Sequence, residues 1–141
     1  MDYPIELKNT FFTRMIVVAV PDHVLDSTKP LEIAPINSLD VREVEGVPNE
    51  FTVTMKTVFN LENESIAPYI LDVECIALFK VDPEVDKEEI QKRLTITGHS
   101  VLYGAIREAV IWVTARQPYG PMNLGLSILK PASPVDVGTK E

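Results

Sequence analysis

The chain has 141 residues, 45% hydrophobic and 24% charged, a balance that argues against wholesale disorder. One domain of this length buries roughly two-thirds of its unfolded surface. Thirteen basic against 21 acidic side chains leave a net charge of -8, which argues against a nucleic-acid partner.

Taken in order, residues 5–20 read as a first strand ending in Arg-Met-Ile-Val-Val-Ala-Val, rich in β-branched residues and closed by Pro21. Its last part is continuously apolar, which predicts cover on both faces. Residues 21–30 connect it to a second strand over 31–45, where Pro35 indicates an edge position or a bulge. Gly46 to Asn49 is a turn. Phe51, Val53, Met55, Thr57, Phe59 and Leu61 then alternate with mainly polar residues and give the clearest half-buried strand. A fourth strand spans 69–81, with Tyr69, Leu71, Val73, Cys75, Ala77 and Phe79 all apolar at its odd positions. Cys75 is the single cysteine, which excludes an internal disulfide framework and reads as a small apolar strand residue.

The second half is helical. Acidic residues around Pro83 suit a helix start, and residues 87–94 form a short amphipathic helix with Ile90 and Leu94 one turn apart. Residues 95–98 break it. A long helix then runs from residue 100 until Gln117 and Pro118 stop it, with Leu102, Ile106, Ala109 and Val113 on one face. Val101, Ala105 and Trp112 widen that stripe beyond what one sheet covers, which predicts a second subunit over Leu102, Ile106, Ala109, Trp112 and Val113. Four strands followed by helices predict an α+β domain, a four-stranded antiparallel meander with helices packed on one face. The domain is expected over residues 1–130, with a flexible tail over 131–141.

Chemistry is hard to find. His23 and His99, the only histidines, read as unrelated loop or cap residues with no metal-ligand spacing around them. The acids Asp82, Glu84, Asp86, Glu88 and Glu89 lack the glycine and spacing of a calcium loop. Phosphate-loop, dinucleotide and nucleophile-elbow motifs are missing too, so no cofactor and no enzyme activity are expected. With no secretory pattern at the N-terminus and no run long enough for a membrane span, the expected location is the cytoplasm. What stands out is apolar residues on irregular segments: Val24 and Leu25 in the first connection, and Tyr119, Met122, Leu124 and Leu126 after the long helix. Such residues either cover the domain's own core or bind varied partners.

Residues 100–124, SVLYGAIREAVIWVTARQPYGPMNL, carry a resemblance. Val101-Leu102-Tyr103, Arg107-Glu108, Ala109-Val110, and then Arg116, Tyr119, Pro121, Met122, Asn123 and Leu124, resemble the corresponding helix and loop of the SecB family of protein-export chaperones. Gly104 stands in place of a proline, and Gln117-Pro118 in place of a glycine pair. The resemblance implies the α+β fold above, from about residue 5 to 129. It implies a homotetramer built as a dimer of dimers, and apolar grooves that hold unfolded preprotein segments without ATP, at Val24, Leu25, Tyr119, Met122, Leu124 and Leu126. It also implies a docking face for the SecA motor at Ile70 and Asp72. The family's first-strand acids fall at the uncharged Met15 and Ala19, its aromatic wall before Lys29-Pro30 is missing, and Pro131 and Pro134 oppose its second helix. A dedicated adaptor of the same fold for one protein partner is the alternative. A small-molecule enzyme on a hot-dog-like scaffold is a third reading, opposed by strands that precede the long helix.

Overall fold

The computed structural model describes residues 4–21, 35–62, 67–125 and 127. Four strands, β1 (Ile5–Ala19), β2 (Ile36–Glu43), β3 (Glu50–Phe59) and β4 (Tyr69–Val81), precede one helix, α1 (Lys87–Thr114). The sheet is antiparallel throughout, in the order β1-β4-β3-β2. Strands β2, β3 and β4 form the expected meander, but β1 crosses to the far side and pairs with β4. The sheet edges are therefore β1 and β2, and Pro35 lies just before the edge strand β2.

Alternation decides the sheet's inner face. Phe51, Val53, Met55, Thr57 and Phe59 of β3 are buried, as are the odd residues of β4 from Tyr69 to Val81. Cys75 is among them, and burial pushes its thiol up to about 11, so it stays protonated and inert. Strand β1 follows no simple alternation because its register against β4 slips twice, between Leu7 and Asn9 and between Phe12 and Arg14. Each extra residue, Lys8 and Thr13, reverses the side-chain parity. Ile5, Leu7, Thr10, Phe12, Met15, Val17 and Ala19 consequently share the inner face, and Phe11, Arg14, Ile16 and Val18 the outer one. Among the described residues, the cover expected on both faces of the last part of β1 is incomplete: Met15, Ile16 and Val18 are 37–44% exposed, and Leu7, Phe11 and Phe12 further up the strand 37–46%.

The break expected over residues 95–98 is absent; α1 is one helix of 28 residues. Its buried residues include Ile90, Leu94, Gly98, Leu102, Ile106, Val110 and Thr114, each four apart. Steps of four advance about 40° around a 3.6-residue helix, so the buried stripe winds as α1 crosses the sheet obliquely. The crossing is visible in the contacts. Near its start Lys87 pairs with Glu43 of β2 and Gly98 lies against Val53 of β3. Beyond its end Gln117 Nε2 donates to Val17 O of β1 at 3.1 Å. Among the described residues one helix, rather than several, covers the sheet.

Candidate functional site: apolar surfaces and a strap along the helix

After Thr114 the chain turns and runs back along α1. Tyr69, in the core, organises the turn: its hydroxyl donates to Gly120 O at 2.7 Å and accepts from the Tyr119 amide at 3.1 Å. Tyr119 in turn donates its hydroxyl to Val20 O, and its ring packs edge-on against Tyr69. The returning segment, residues 121–125 with Ser127, forms a strap fastened to one flank of the helix. The Met122 amide donates to Thr114 Oγ1 at 2.8 Å, while that hydroxyl donates to Val110 O at 2.6 Å. Arg107 Nε donates to Leu124 O at 3.0 Å and Tyr103 Oη to Gly125 O at 2.6 Å. Burial pushes the Tyr103 phenol up, which keeps its donor proton in place.

The far end of the strap is tied at Ser127. Its hydroxyl lies 3.0 Å from His99 Nε2 and accepts from Asn37 Nδ2 of β2 at 3.0 Å, and Asn37 Oδ1 accepts from Thr57 Oγ1 at 2.7 Å. His99 was expected in a loop or cap; it is a buried helix residue stacked on Tyr103, and burial lowers its pKa. This chain of bonds places the strap between α1 and the edge strand β2. It fills the wedge that the oblique helix leaves open there.

The opposite wedge, over β1, is not filled by any of the described residues. Leu7, Phe12 and Met15 form its floor. The helix flank opposite the strap, Thr97, Val101, Ala105, Ala109 and Val113, is half-buried. Trp112 lies 60% exposed on the outer side, with the Arg116 guanidinium 3.8 Å above its ring.

These positions revise the sequence-based sites. Met122 and Leu124 are 2% and 1% exposed and belong to the protomer's own core, so in this conformation they offer nothing to a client. Tyr119 is half-buried, and Val24, Leu25 and Leu126 lie outside the described residues. Leu102 and Ile106 pack inside the protomer and cannot meet a second subunit; Ala109, Trp112 and Val113 keep some exposure. On the outer sheet face, Ile70 and Asp72 are half-buried, and Asp72 is held by Arg14 at 2.8 Å. Met15 and Ala19, matched to the family's first-strand acids, are on the inner face; the cation Arg14 stands on the outer one. Glu74 is bonded by Thr13 Oγ1 and lies 3.7 Å from Lys56 Nζ, so this band of the face is internally neutralised. The open β1 wedge is the surface that sequence reasoning missed as a site. Its signal was the apolar run from Met15 to Val20, but the bulges concealed which residues share a face.

Among the described residues no three His, Cys, Asp or Glu side chains are grouped to hold a metal, and no helix is long and apolar enough to cross a membrane. The fold is similar to that of the Mycobacterium tuberculosis Rv1957 SecB-like chaperone, solved in complex with a ChAD peptide from the Rv1956 HigA1 antitoxin. The TM-score is 0.69 at 20% identity, covering 92% of this chain and 94% of that one. A protein of unknown function from Streptococcus agalactiae superposes with a TM-score of 0.54 at 9% identity, over 88% of this chain and 97% of that one. No protein-family model matches the sequence, and no curated protein does. The four-stranded antiparallel sheet followed by one helix is a SecB-like fold.

Proposed function

We propose that this protein is an ATP-independent, SecB-like chaperone that holds unfolded polypeptide through apolar contacts. The observation that carries the reading is β1: six large apolar side chains, on both faces of one edge strand, are left 37–46% exposed. A lone edge strand of that character is an aggregation hazard unless covered, and it suits a protein that works by binding other chains. Copies of this chain supply part of the cover, as a homotetramer arranged as a dimer of dimers, with Ala109, Trp112 and Val113 of α1 near the contact. Holding works by mass action on the unfolded partner and requires no catalysis, cofactor or metal. The cytoplasm is the compartment this role suits.

Dilution of two unrelated, chemically denatured proteins into buffer, with and without this chain, tests the reading. Suppressed aggregation of both at near-stoichiometric amounts is the expected result; suppression of neither removes the general-holdase claim.

One observation favours a second reading, an adaptor dedicated to one protein partner outside export. Asp72, the acid that the SecB resemblance assigns to the SecA motor, is engaged by Arg14, and the neighbouring Glu74 lies beside Lys56, which leaves little field to attract a basic tail. The similar Rv1957 structure holds a peptide from an antitoxin, which is compatible with such a role. An adaptor protects one client and ignores the two unrelated proteins.

A further inference from the structure

The strap is seated the way a bound peptide is. Burial alternates along it: Pro121 exposed, Met122 buried, Asn123 exposed, Leu124 buried, Gly125 exposed. That is the period of an extended strand, yet among the described residues no strand of the sheet pairs with it. Its main-chain groups are met by side chains, the Met122 amide by Thr114, the Leu124 carbonyl by Arg107 and the Gly125 carbonyl by Tyr103. An extended ligand is held in the same manner, with main-chain hydrogen bonds indifferent to its sequence and pockets for every second side chain. The side chains that meet the strap's main chain stand on α1, so they exist whether or not the strap occupies them. No ionised side chain lies within residues 121–127, PMNLGLS, so releasing them strands no charge.

We propose that residues 121–125 with Ser127 are an internal stand-in for a client, and that an uncharged, extended polypeptide segment with apolar residues at alternate positions binds by displacing them from the seat between α1 and β2. The inference rests on the polypeptide-binding reading above and deepens it by naming the seat. It also explains how a chain whose β1 wedge is covered by a second copy keeps a site for clients. The strap protects the seat from water and from self-association until a segment competes for it. Affinity for a client is then reduced by the fraction of time the strap is home.

The test locks the strap. Asn37→Cys with Ser127→Cys replaces two side chains that already meet at 3.0 Å, and Cys75 is buried away from them. The probe is a fluorescein-labelled peptide copying residues 118–127, read by anisotropy. The reduced double variant, whose strap has lost the Asn37–Ser127 tie, is expected to bind at least as tightly as the unmodified chain, and oxidation to weaken binding at least about tenfold relative to the reduced form, because the seat can no longer open. Leu124→Ala, which shortens one anchor of the strap and leaves the seat intact, is expected to tighten binding at least about tenfold. Equal binding by the oxidised and reduced forms overturns the proposal, as does absence of binding by folded Leu124→Ala protein. Aggregation assays on the same samples separate this from the broader reading. Suppression of a denatured reporter protein that survives oxidation refutes the seat while the holdase reading stands. No suppression by the unmodified chain refutes the holdase reading, and the peptide titration still decides the seat.

Discussion

Gly98 of α1 lies directly over Val53 of β3: a Cβ built at Gly98 would sit 2.7 Å from Val53 Cγ1 and 3.2 Å from its other two side-chain carbons. No such contact is tolerable, and Val53 is a stiff β-branched residue with no exposure at all. The helix approaches the sheet this closely because position 98 has no side chain.

Gly98→Ala is therefore expected to destabilise by about 1–3 kcal/mol, overpacking outweighing the gain in helix propensity. Gly104, six residues on, has nothing within 4 Å of the same added carbon. Gly104→Ala is expected to stabilise by about 0.5–1 kcal/mol. Urea titrations of both variants check the pair. Adding Val53→Ala to Gly98→Ala should recover part of the loss, and full additivity would show that the two sites are uncoupled.

Tyr69→Phe removes the hydroxyl that joins Gly120 O and the Tyr119 amide. Two part-buried backbone groups lose their partner, at a cost of about 1–3 kcal/mol. Hydrogen exchange at the Tyr119 amide should accelerate, while the β3–β4 ladder stays protected. Unchanged exchange at Tyr119 would mean that the turn is held elsewhere.

Acid should loosen the strap. Burial holds the His99 imidazole below its usual pKa, so the folded chain resists a proton that the unfolded chain accepts near about pH 6.5. The unfolded state then binds more protons, and stability falls as pH drops below that point towards the folded pKa. Above it the contribution is fully present. His99→Gln keeps a polar partner for Ser127 without titrating, and should flatten stability against pH in that window. An equal slope in both proteins would place the effect on other groups.

On the outer sheet face, Arg14→Ala should free Asp72 to meet a cationic partner. Stability should change by no more than about 1 kcal/mol, since the pair is solvent-exposed. A basic tail peptide of the SecA motor is expected to show no salt-sensitive binding to the unmodified chain and measurable binding to the variant. Tight binding by the unmodified chain would restore the export partnership.

Trp112, the only tryptophan, reports on the outer side of α1. If copies meet there, its emission should shift to the red on dilution as assembly is lost. Constant emission across a dilution series that halves the particle mass would move the contact away from Trp112.

Strands β3 and β4 were legible in the sequence because their side chains alternate against one core, and β4 begins at Tyr69 and ends at Val81 as the pattern predicts. The fold class followed from the order of elements. The position of β1 did not: its pairing with β4 joins residues some sixty positions apart, with two bulges that scramble its alternation, and local pattern carries no information about a non-local partner. The sequence predicts two helices where the structure has one because Thr95, Thr97 and Gly98 are poor helix formers. Burial of Gly98 and His99 against the sheet and the strap overrides that local cost, as tertiary packing generally does for helices. The sequence also marked Tyr119, Met122 and Leu124 as apolar residues on irregular backbone, and left open whether they cover the core or await a client. Only the tertiary structure decided between these: an oblique helix leaves a wedge over β2, and the strap's apolar side chains leave water by filling it.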